Sequence, residues 1–240
     1  MSADVVEPTT RTTVRRHRDR GRYERETIYA ILDEGMVCHV AACVDGVPWM
    51  IPTAYGRDGD TLYLHGAAGN HLLKAAAEGG DVCVVVTLLD GMVLARSTFN
   101  HSFNYRSVVV FGPATEITDP AAKDRALAVI VDHLLPGRSA EARPPTPSEL
   151  RQTRVVALPL AEASAKVRSG PSSDDEGDLD LPVWAGVLPL RTVADAPEPD
   201  PGNQPGLPEP RGFVQPGRWG QPLRSGQPLR QADLDGSPHD

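Results

Sequence analysis

The stretch LYLHGAAGNHLLKAAAEG (62–79) combines residue types that bind anions. A strand-like run ends at His65, small residues follow, and Asn70 and His71 precede a helical pattern. Free N–H groups at a helix start favour negative charge, Gly66 permits close backbone approach, and the amide and imidazole side chains can donate hydrogen bonds. The stretch therefore indicates either an anion-binding loop or an ordinary strand-to-helix turn that uses glycine for its bend.

Two arginines in strand-like stretches need anionic partners, because a lone buried charge is costly. For Arg96 and Arg106 the partner is either a ligand phosphate or a carboxylate such as Asp90 or Glu116. We expect Arg106 to face a ligand, since it stands between a tyrosine and a serine. A hydrolase is not expected, because no nucleophile elbow surrounds Ser97.

The histidines are of different kinds. His39 lies in the middle of a strand-like run, so we expect a packed or hydrogen-bonded core residue. His133 lies near the end of a helical pattern, where a cation favours the helix dipole. His65, His71 and His101 lie at strand ends or in loops, where they are available to a ligand.

The elements that must position these residues are mainly strands. Two tight-turn signals, Asp45-Gly46 and Asp58-Gly59, separate three strand-like runs, and Pro48 and Pro52 in the second run predict an edge strand or a bulge. Helical patterns cover 21–35, the stretch after Asn70, and 120–135 with Asp119 as N-cap. Six to seven strands joined by short turns, with few helices, predict a mainly β protein: an antiparallel barrel with flanking helices.

Composition bounds the function. The net charge of −8 and the acidic pI argue against a nucleic-acid surface, although RTTVRRHRDRGRYER (11–25) is a basic patch. No apolar run reaches the length of a membrane span, and no signal peptide is recognisable. Three cysteines in apolar runs indicate buried reduced thiols. We therefore expect a soluble cytoplasmic protein without a metal site.

The chain divides into three parts. Residues 1–12 are predicted to form a disordered arm, 13–195 a folded domain, and 196–240 a disordered tail. Ten prolines and seven glycines fall within 197–240, together with the repeat GQPLRSGQPLR. Such a segment buries too little apolar surface to offset the entropy of ordering.

Four stretches together resemble the pyridoxamine 5′-phosphate oxidase-like family of FMN-binding split β-barrels. They are DGVPWMIPTAY, LYLHGAAGNHLLKA, VCVVVTLLDGMVLARSTFNHSFNYRSVVVFG and KVRSGPSSDDEGDLDLPVWAGVLPL. The match is closest to the branch that contains the nitroimidazole-resistance reductases and covers about 11–191. ARSTFNHSFNYRSVVVFG is its most specific part.

The resemblance implies an FMN site and a homodimer with the flavin at the subunit interface. It places the flavin ring along one strand, the phosphate at the following loop, polar contacts on a facing strand, and a tryptophan near the ring. The implied residues are Trp49, Met50, Ile51 and Pro52 for the ring; His65, Gly66, Asn70 and His71 for the phosphate; Asn104, Tyr105, Arg106 and Ser107 for the facing strand; and Trp184.

The sequence also departs from the true oxidases of this family. Asn70 and His71 stand where the oxidases place an arginine and a lysine, and Arg191 is the only basic residue in the segment LPLRTVAD. The resemblance thus implies an FMN-dependent oxidoreductase acting on another small molecule, such as a nitro-aromatic. The alternative is a carrier or sensor that binds flavin or haem without turnover. Haem would need an axial histidine, and nothing in the local sequence separates it from flavin.

Overall fold

A computed structural model describes residues 4–213. Within them, ten strands and five α-helices alternate along the chain. The strands are β1 (Gly21–Arg22), β2 (Val37–Val44), β3 (Val47–Asp58), β4 (Thr61–Ala67), β5 (Asp81–Leu94), β6 (Ser102–Pro113), β7 (Thr115–Glu116), β8 (Thr153–Pro159), β9 (Glu162–Arg168) and β10 (Gly186–Pro189). The helices are α1 (Arg25–Glu34), α2 (His71–Ala77), α3 (Pro120–Leu134), α4 (Arg138–Glu141) and α5 (Pro147–Gln152).

The strands form one antiparallel sheet in the order β1-β9-β6-β5-β2-β3-β4-β8-β7, with β10 added to β5. Seven strands have seven or more residues, which agrees with the predicted six to seven. The path of strand pairing is open rather than closed, as in a split barrel, and helices flank it. The predicted fold class is therefore confirmed.

The core lies on one face of this sheet. Alternation buries Cys38, Val40 and Ala42 of β2, and their cross-strand neighbours on β5 and β6 are buried with them. Helix α1 closes the core with three fully buried side chains, Ile28, Ile31 and Leu32. The helix begins at Arg25 rather than at residue 21, because residues 21–22 pair with β9 instead.

Local signals for turns and caps are confirmed. Asp45 and Gly46 have φ of 53° and 77°, the left-handed pair that a two-residue hairpin turn requires. The Asp119 carboxylate accepts a hydrogen bond from the Ala122 N–H at 2.7 Å and caps α3. Asp90-Gly91 is the same pair of residue types as the two predicted turn signals, but it does not end a strand. It forms a bulge, and β5 continues through it to Leu94.

The predicted disordered arm (1–12) needs correction for the residues that the structure describes. Val6 is buried, and its N–H donates to the Tyr23 carbonyl at 2.8 Å. Thr12 is buried as well, and Arg11 pairs with Asp81 and Glu162. The arm joins the domain through long-range contacts that its polar composition does not reveal.

The predicted disordered tail (196–240) lies partly outside the described residues, which end at 213. Residues 196–210 contain no helix or strand, but Arg211–Phe213 forms a 3-10 helix. Gly212 is buried there, and a Cβ on it would lie 2.7 Å from the Leu135 side chain. The end of the described chain therefore packs on the domain beyond α3. The GQPLR repeat lies outside the described residues.

Among residues 4–213, no helix is both long and apolar enough to span a bilayer. The three cysteines are free. Cys38 is buried, and burial raises the pKa of its thiol to about 12. Cys43 is exposed and Cys83 is half-buried, so the expectation of three buried thiols is wrong for Cys43.

Candidate functional site

The two parts of strand β3 pair with different strands, and within residues 4–213 the sheet has an unpaired edge where the partner changes. Its second part, Tyr55–Asp58, pairs with β4, whereas Val47–Ala54 pairs only with β2. The other edge of Val47–Ala54 therefore has no strand partner among the described residues. Trp49 and Met50 on this edge strand are 51% and 62% exposed. Pro52 is exposed too, whereas Ile51 packs against the core.

The loop between β4 and α2 has a packing explanation for two of its predicted ligand residues. A Cβ on Gly66 would lie 2.7 Å from the Leu73 side chain, so glycine permits α2 to approach β4. The Asn70 Oδ1 accepts a hydrogen bond from the Leu73 N–H at 3.0 Å and caps α2. His71 is exposed at the first position of this helix. Both explanations from the sequence therefore remain open for the loop.

His65 is the residue of this loop that packing does not explain. Its Nδ1 is buried and has no hydrogen-bond partner among the described residues. Burial lowers the pKa of the imidazole, which favours the neutral ring at neutral pH. An unpaired buried polar atom costs free energy, so Nδ1 is available to a ligand at the end of β4.

Arg154 brings a positive charge to the same loop. It lies on β8 directly opposite Gly66, and its guanidinium donates to the Ala68 carbonyl at 2.6 Å. Its Nε donates to Glu116 at 3.2 Å, so part of its charge is neutralised. The sequence analysis did not include this residue, because only the β4–β8 pairing brings it to the loop. The pattern around Arg154 contains no signal of a site.

On β6 the alternation of a strand divides the four predicted residues between two faces. Asn104 and Arg106 share one face of the sheet, and Tyr105 and Ser107 share the other. Asn104 is buried, donates to the Gly170 carbonyl at 3.1 Å and accepts from Arg168. Ser107 donates weakly to the Lys166 carbonyl at 3.4 Å. These four residues therefore cannot contact one ligand group together.

Arg106 has two carboxylate partners. Its guanidinium contacts the Glu34 carboxylate through both terminal nitrogens and Asp90 through Nε at 3.0 Å. These hydrogen bonds, first that to Glu34, raise the pKa of the guanidinium. Arg96 likewise pairs with Asp174 at 2.8 Å. No finding tests contact between Arg106 and a phosphate, and the ion pairs with Glu34 and Asp90 provide the alternative partner that the sequence left open.

Trp184 lies far from the β3 edge in one chain. It is 69% exposed and covers Gly186, where a Cβ would lie 2.7 Å from the indole ring. Gly186 pairs with Leu94 of β5, whereas Ala42, the partner of Trp49, pairs with Val82. Twelve residues of strand separate the two pairing positions on β5, roughly 40 Å along the chain.

The histidine predicted for the core lies on the other face of the sheet. Cys38 and Val40 point inward, so His39 between them is exposed on the outer face. A shift of one position in a strand changes the face, and the apolar run did not reveal which face was buried.

Comparison with protein families matches residues 24–167 to the family model described as pyridoxamine 5′-phosphate oxidase. A search of curated proteins found no match. The chain belongs to the pyridoxamine 5′-phosphate oxidase family, as the resemblance implied.

Two solved structures are similar over most of their length. The flavocytochrome Anf3 from Azotobacter vinelandii is 44% identical, with a TM-score of 0.81; the match covers 86% of this chain and 96% of that one. The FAD and heme binding protein from Mycobacterium smegmatis is 39% identical, with a TM-score of 0.77, over 81% and 95% of the two chains.

A more distant structure shares the fold. It is a Bacteroides thetaiotaomicron protein assigned to 5-nitroimidazole antibiotic resistance, 23% identical with a TM-score of 0.52, and the match covers 61% of this chain and 86% of that one. The predicted nitroimidazole-resistance branch is thus among the structural neighbours, and at this identity the likeness concerns the fold alone.

Proposed function

We propose that this protein is a redox protein that binds flavin and, in addition, haem. The observation that carries the proposal is its 39% identity to the M. smegmatis FAD and heme binding protein over 95% of that chain. The 44% identity to a flavocytochrome supports it independently. The alternative that the sequence already allowed is a carrier or sensor that binds flavin or haem without turnover.

The residues at the opening of β3 fit a flavin. The unpaired edge of Val47–Ala54 offers backbone donors and acceptors to the polar part of the ring. Trp49 offers exposed apolar surface, and the loop after β4 offers the free Nδ1 of His65 near the Arg154 charge. When bound, flavin supplies the electron chemistry, while these side chains bind it, orient it and exclude water.

FAD is the flavin that we propose, in place of the FMN expected from the sequence. FAD is the flavin named for the M. smegmatis chain, and that chain is similar to this one along nearly its whole length. The Arg154 charge beside Gly66 is available to a phosphate of either flavin.

Released cofactors test the proposal directly. The purified full-length protein is denatured, the supernatant is separated by chromatography with FAD and FMN standards, and haem is assayed by its pyridine adduct. We expect the denatured protein to release FAD together with haem b that is not covalently attached. FMN alone would restore the sequence prediction, and a colourless protein that binds neither flavin nor hemin would overturn the proposal.

The electron acceptor is proposed to be a small electron-poor molecule, with nitro-aromatic compounds as the first substrates to test. Anaerobic NADH or NADPH is added to the flavin-loaded protein, and bleaching of the flavin is recorded before and after the acceptor is added. Bleaching followed by reoxidation supports an enzyme. A flavin that neither nicotinamide reduces supports the carrier or sensor.

The functional unit is proposed to be a homodimer. The pairing positions of Trp49 and of Gly186, which Trp184 covers, are twelve residues or roughly 40 Å apart along β5 in one chain, and a second copy would bring such residues to one flavin. The exposed Trp49 is also apolar surface that a second chain would cover. Light scattering should give twice the chain mass of 25.7 kDa, and a monomer that retains its flavin would contradict this assembly.

A further inference from the structure

The outer face of strands β3, β2 and β5 is apolar and largely uncovered. Cross-strand pairing brings its residues into rows, since directly opposed residues of an antiparallel pair point to the same side. The outer face consists of Pro48, Met50 and Pro52 of β3, Val37, His39, Ala41 and Cys43 of β2, and Cys83 and Val85 of β5. Met50 is 62% exposed and Val37 is 50% exposed.

His39 lies at the centre of this outer face. It pairs with Pro52 on one side and Val85 on the other, and Val37 and Ala41 flank it along β2. An imidazole in such a position is surrounded by side chains that offer no hydrogen bond. It forms none with the protein among residues 4–213 that the structure describes, although the ring itself is exposed.

We propose that His39 is an axial ligand of the haem iron and that the outer face covers the porphyrin. The inference rests on the proposed binding of haem. A neutral imidazole is the commonest protein ligand of haem iron, and the macrocycle needs apolar surface around that ligand. The outer face supplies both within one part of the sheet.

The other histidines of the described residues have different surroundings. His133 contacts the Gly35 carbonyl at 2.7 Å and packs against the Tyr55 ring at 4.5 Å. His101 contacts the Ser97 carbonyl at 2.9 Å, and the buried Nδ1 of His65 belongs to the flavin site proposed at the end of β4. His17 and His71 are exposed next to polar or helical segments. None of them stands within an apolar face.

Charge complementarity supports the same position. Across the sheet, His39 pairs with Val85 of β5, and Val85 pairs with Val109 of β6. The N-terminal segment Arg11–Arg16 lies over the sheet at Val109. Arg15 and Arg16 are exposed on this segment and form no ion pair within residues 4–213. Haem propionates are carboxylates, for which arginine is a geometrically matched partner.

The test compares His39→Ala with His101→Ala in the full-length protein. Apoprotein is titrated with hemin, and the Soret band, the dissociation constant and the electron paramagnetic resonance spectrum are recorded. We expect His39→Ala to weaken hemin binding by about 100-fold or more and to lose the spectrum of the parent. Even a change to a group that only orients a metal ligand costs about 10- to 100-fold. His101→Ala should bind hemin like the parent.

Added imidazole and flavin content complete the test. Free imidazole should restore the parental Soret band to His39→Ala, which a general folding defect would not allow, and its flavin content should stay at the parental level. Parental hemin binding by His39→Ala would overturn the inference while haem binding itself stands. A parent protein that takes up no hemin would overturn both. If Val37→Glu converts dimers to monomers without changing the Soret band, a second copy covers the outer face instead of haem.

Discussion

Arg106 lies between the carboxylates of Glu34 and Asp90, and its side chain is 31% exposed. An arginine with two such partners stabilises the contact between α1, β5 and β6, and little of its charge remains for a ligand. Arg154 has one carboxylate partner and a carbonyl of the loop after β4. We therefore expect the positive charge of the flavin site to come from Arg154 on β8 and not from Arg106 on β6.

The first prediction compares Arg106→Ala with Arg154→Ala. Arg154→Ala should weaken flavin binding by roughly ten- to a hundredfold, since a charge-assisted contact contributes about 1.5–3 kcal/mol. Arg106→Ala should bind flavin like the parent but lose roughly 1–3 kcal/mol of stability, between the values for exposed and buried pairs. Flavin fluorescence quenching and urea unfolding measure the two effects. If Arg106→Ala weakens flavin binding and Arg154→Ala does not, Arg106 and not Arg154 contacts the flavin.

The second prediction concerns pH and His65. Burial lowers the pKa of this imidazole below its ordinary value of 6.5, so the unfolded state binds more protons than the folded state. The stability contributed by the neutral ring is complete above pH 6.5 and is lost as pH falls from 6.5 through the lower folded pKa. His65→Gln should therefore show a shallower loss of Tm in this window than the parent. His71→Gln, at an exposed position, serves as the control, and equal slopes for all three proteins would contradict the assignment.

At the scale of elements, the position of α2 depends on a residue of β4. Gly66 lies under Leu73, and Asn70 caps the helix that presents this leucine. The strand, the loop and the helix thus form one packed unit, and its glycines have different roles. A Cβ on Gly69 would meet no atom of the described residues within 4 Å, in contrast to a Cβ on Gly66.

The third prediction uses this contrast. Gly66→Ala should destabilise the protein by about 1–3 kcal/mol, because the new methyl group overpacks against Leu73. Gly69→Ala should change the free energy of unfolding by no more than about 0.5 kcal/mol. Urea unfolding of the two variants beside the parent measures both. If both variants lose the same free energy of unfolding, the backbone conformation of the loop, and not the contact with Leu73, requires glycine at these positions.

At the scale of the whole molecule, the two ends of the described chain both pack on the domain. Val6 is buried in the core, and Gly212 packs against Leu135 while the Arg211 N–H donates to Glu141 at 3.1 Å. The sequence predicts a disordered tail over 196–240, and removal of a tail without packed residues would leave stability nearly unchanged. Because Arg211 and Gly212 contact the domain, we expect different effects from removing 197–213 and from removing 214–240.

The fourth prediction compares two truncations. A chain that ends at residue 196 loses the contacts with Leu135 and Glu141, and its Tm should fall by about 2–4 °C, the shift for roughly 1 kcal/mol in a domain of this size. A chain that ends at residue 213 keeps these contacts and should match the parent in Tm and flavin content. Thermal unfolding followed by circular dichroism measures the difference. Loss of flavin from the longer chain would show a role for 214–240.

The sequence by itself predicted the features that depend on neighbours in the chain. Turn chemistry predicted the hairpin at Asp45-Gly46, capping chemistry predicted the start of α3 at Asp119, and prolines predicted the unpaired edge along the first part of β3. Family-specific stretches predicted the split barrel, and the family comparison confirms it. Each of these signals acts over a few residues or is carried by the composition of one strand.

Only the tertiary structure decided which partners meet across the sheet. Arg106 meets Glu34, Arg154 meets Gly66, and Gly212 meets Leu135, although the residues of each pair are far apart in the sequence. The face of His39 was equally undecided, because Cys38, His39 and Val40 lie in one apolar run and a shift of one residue reverses the side. Register and long-range packing select among such alternatives, and neither is written in a local pattern.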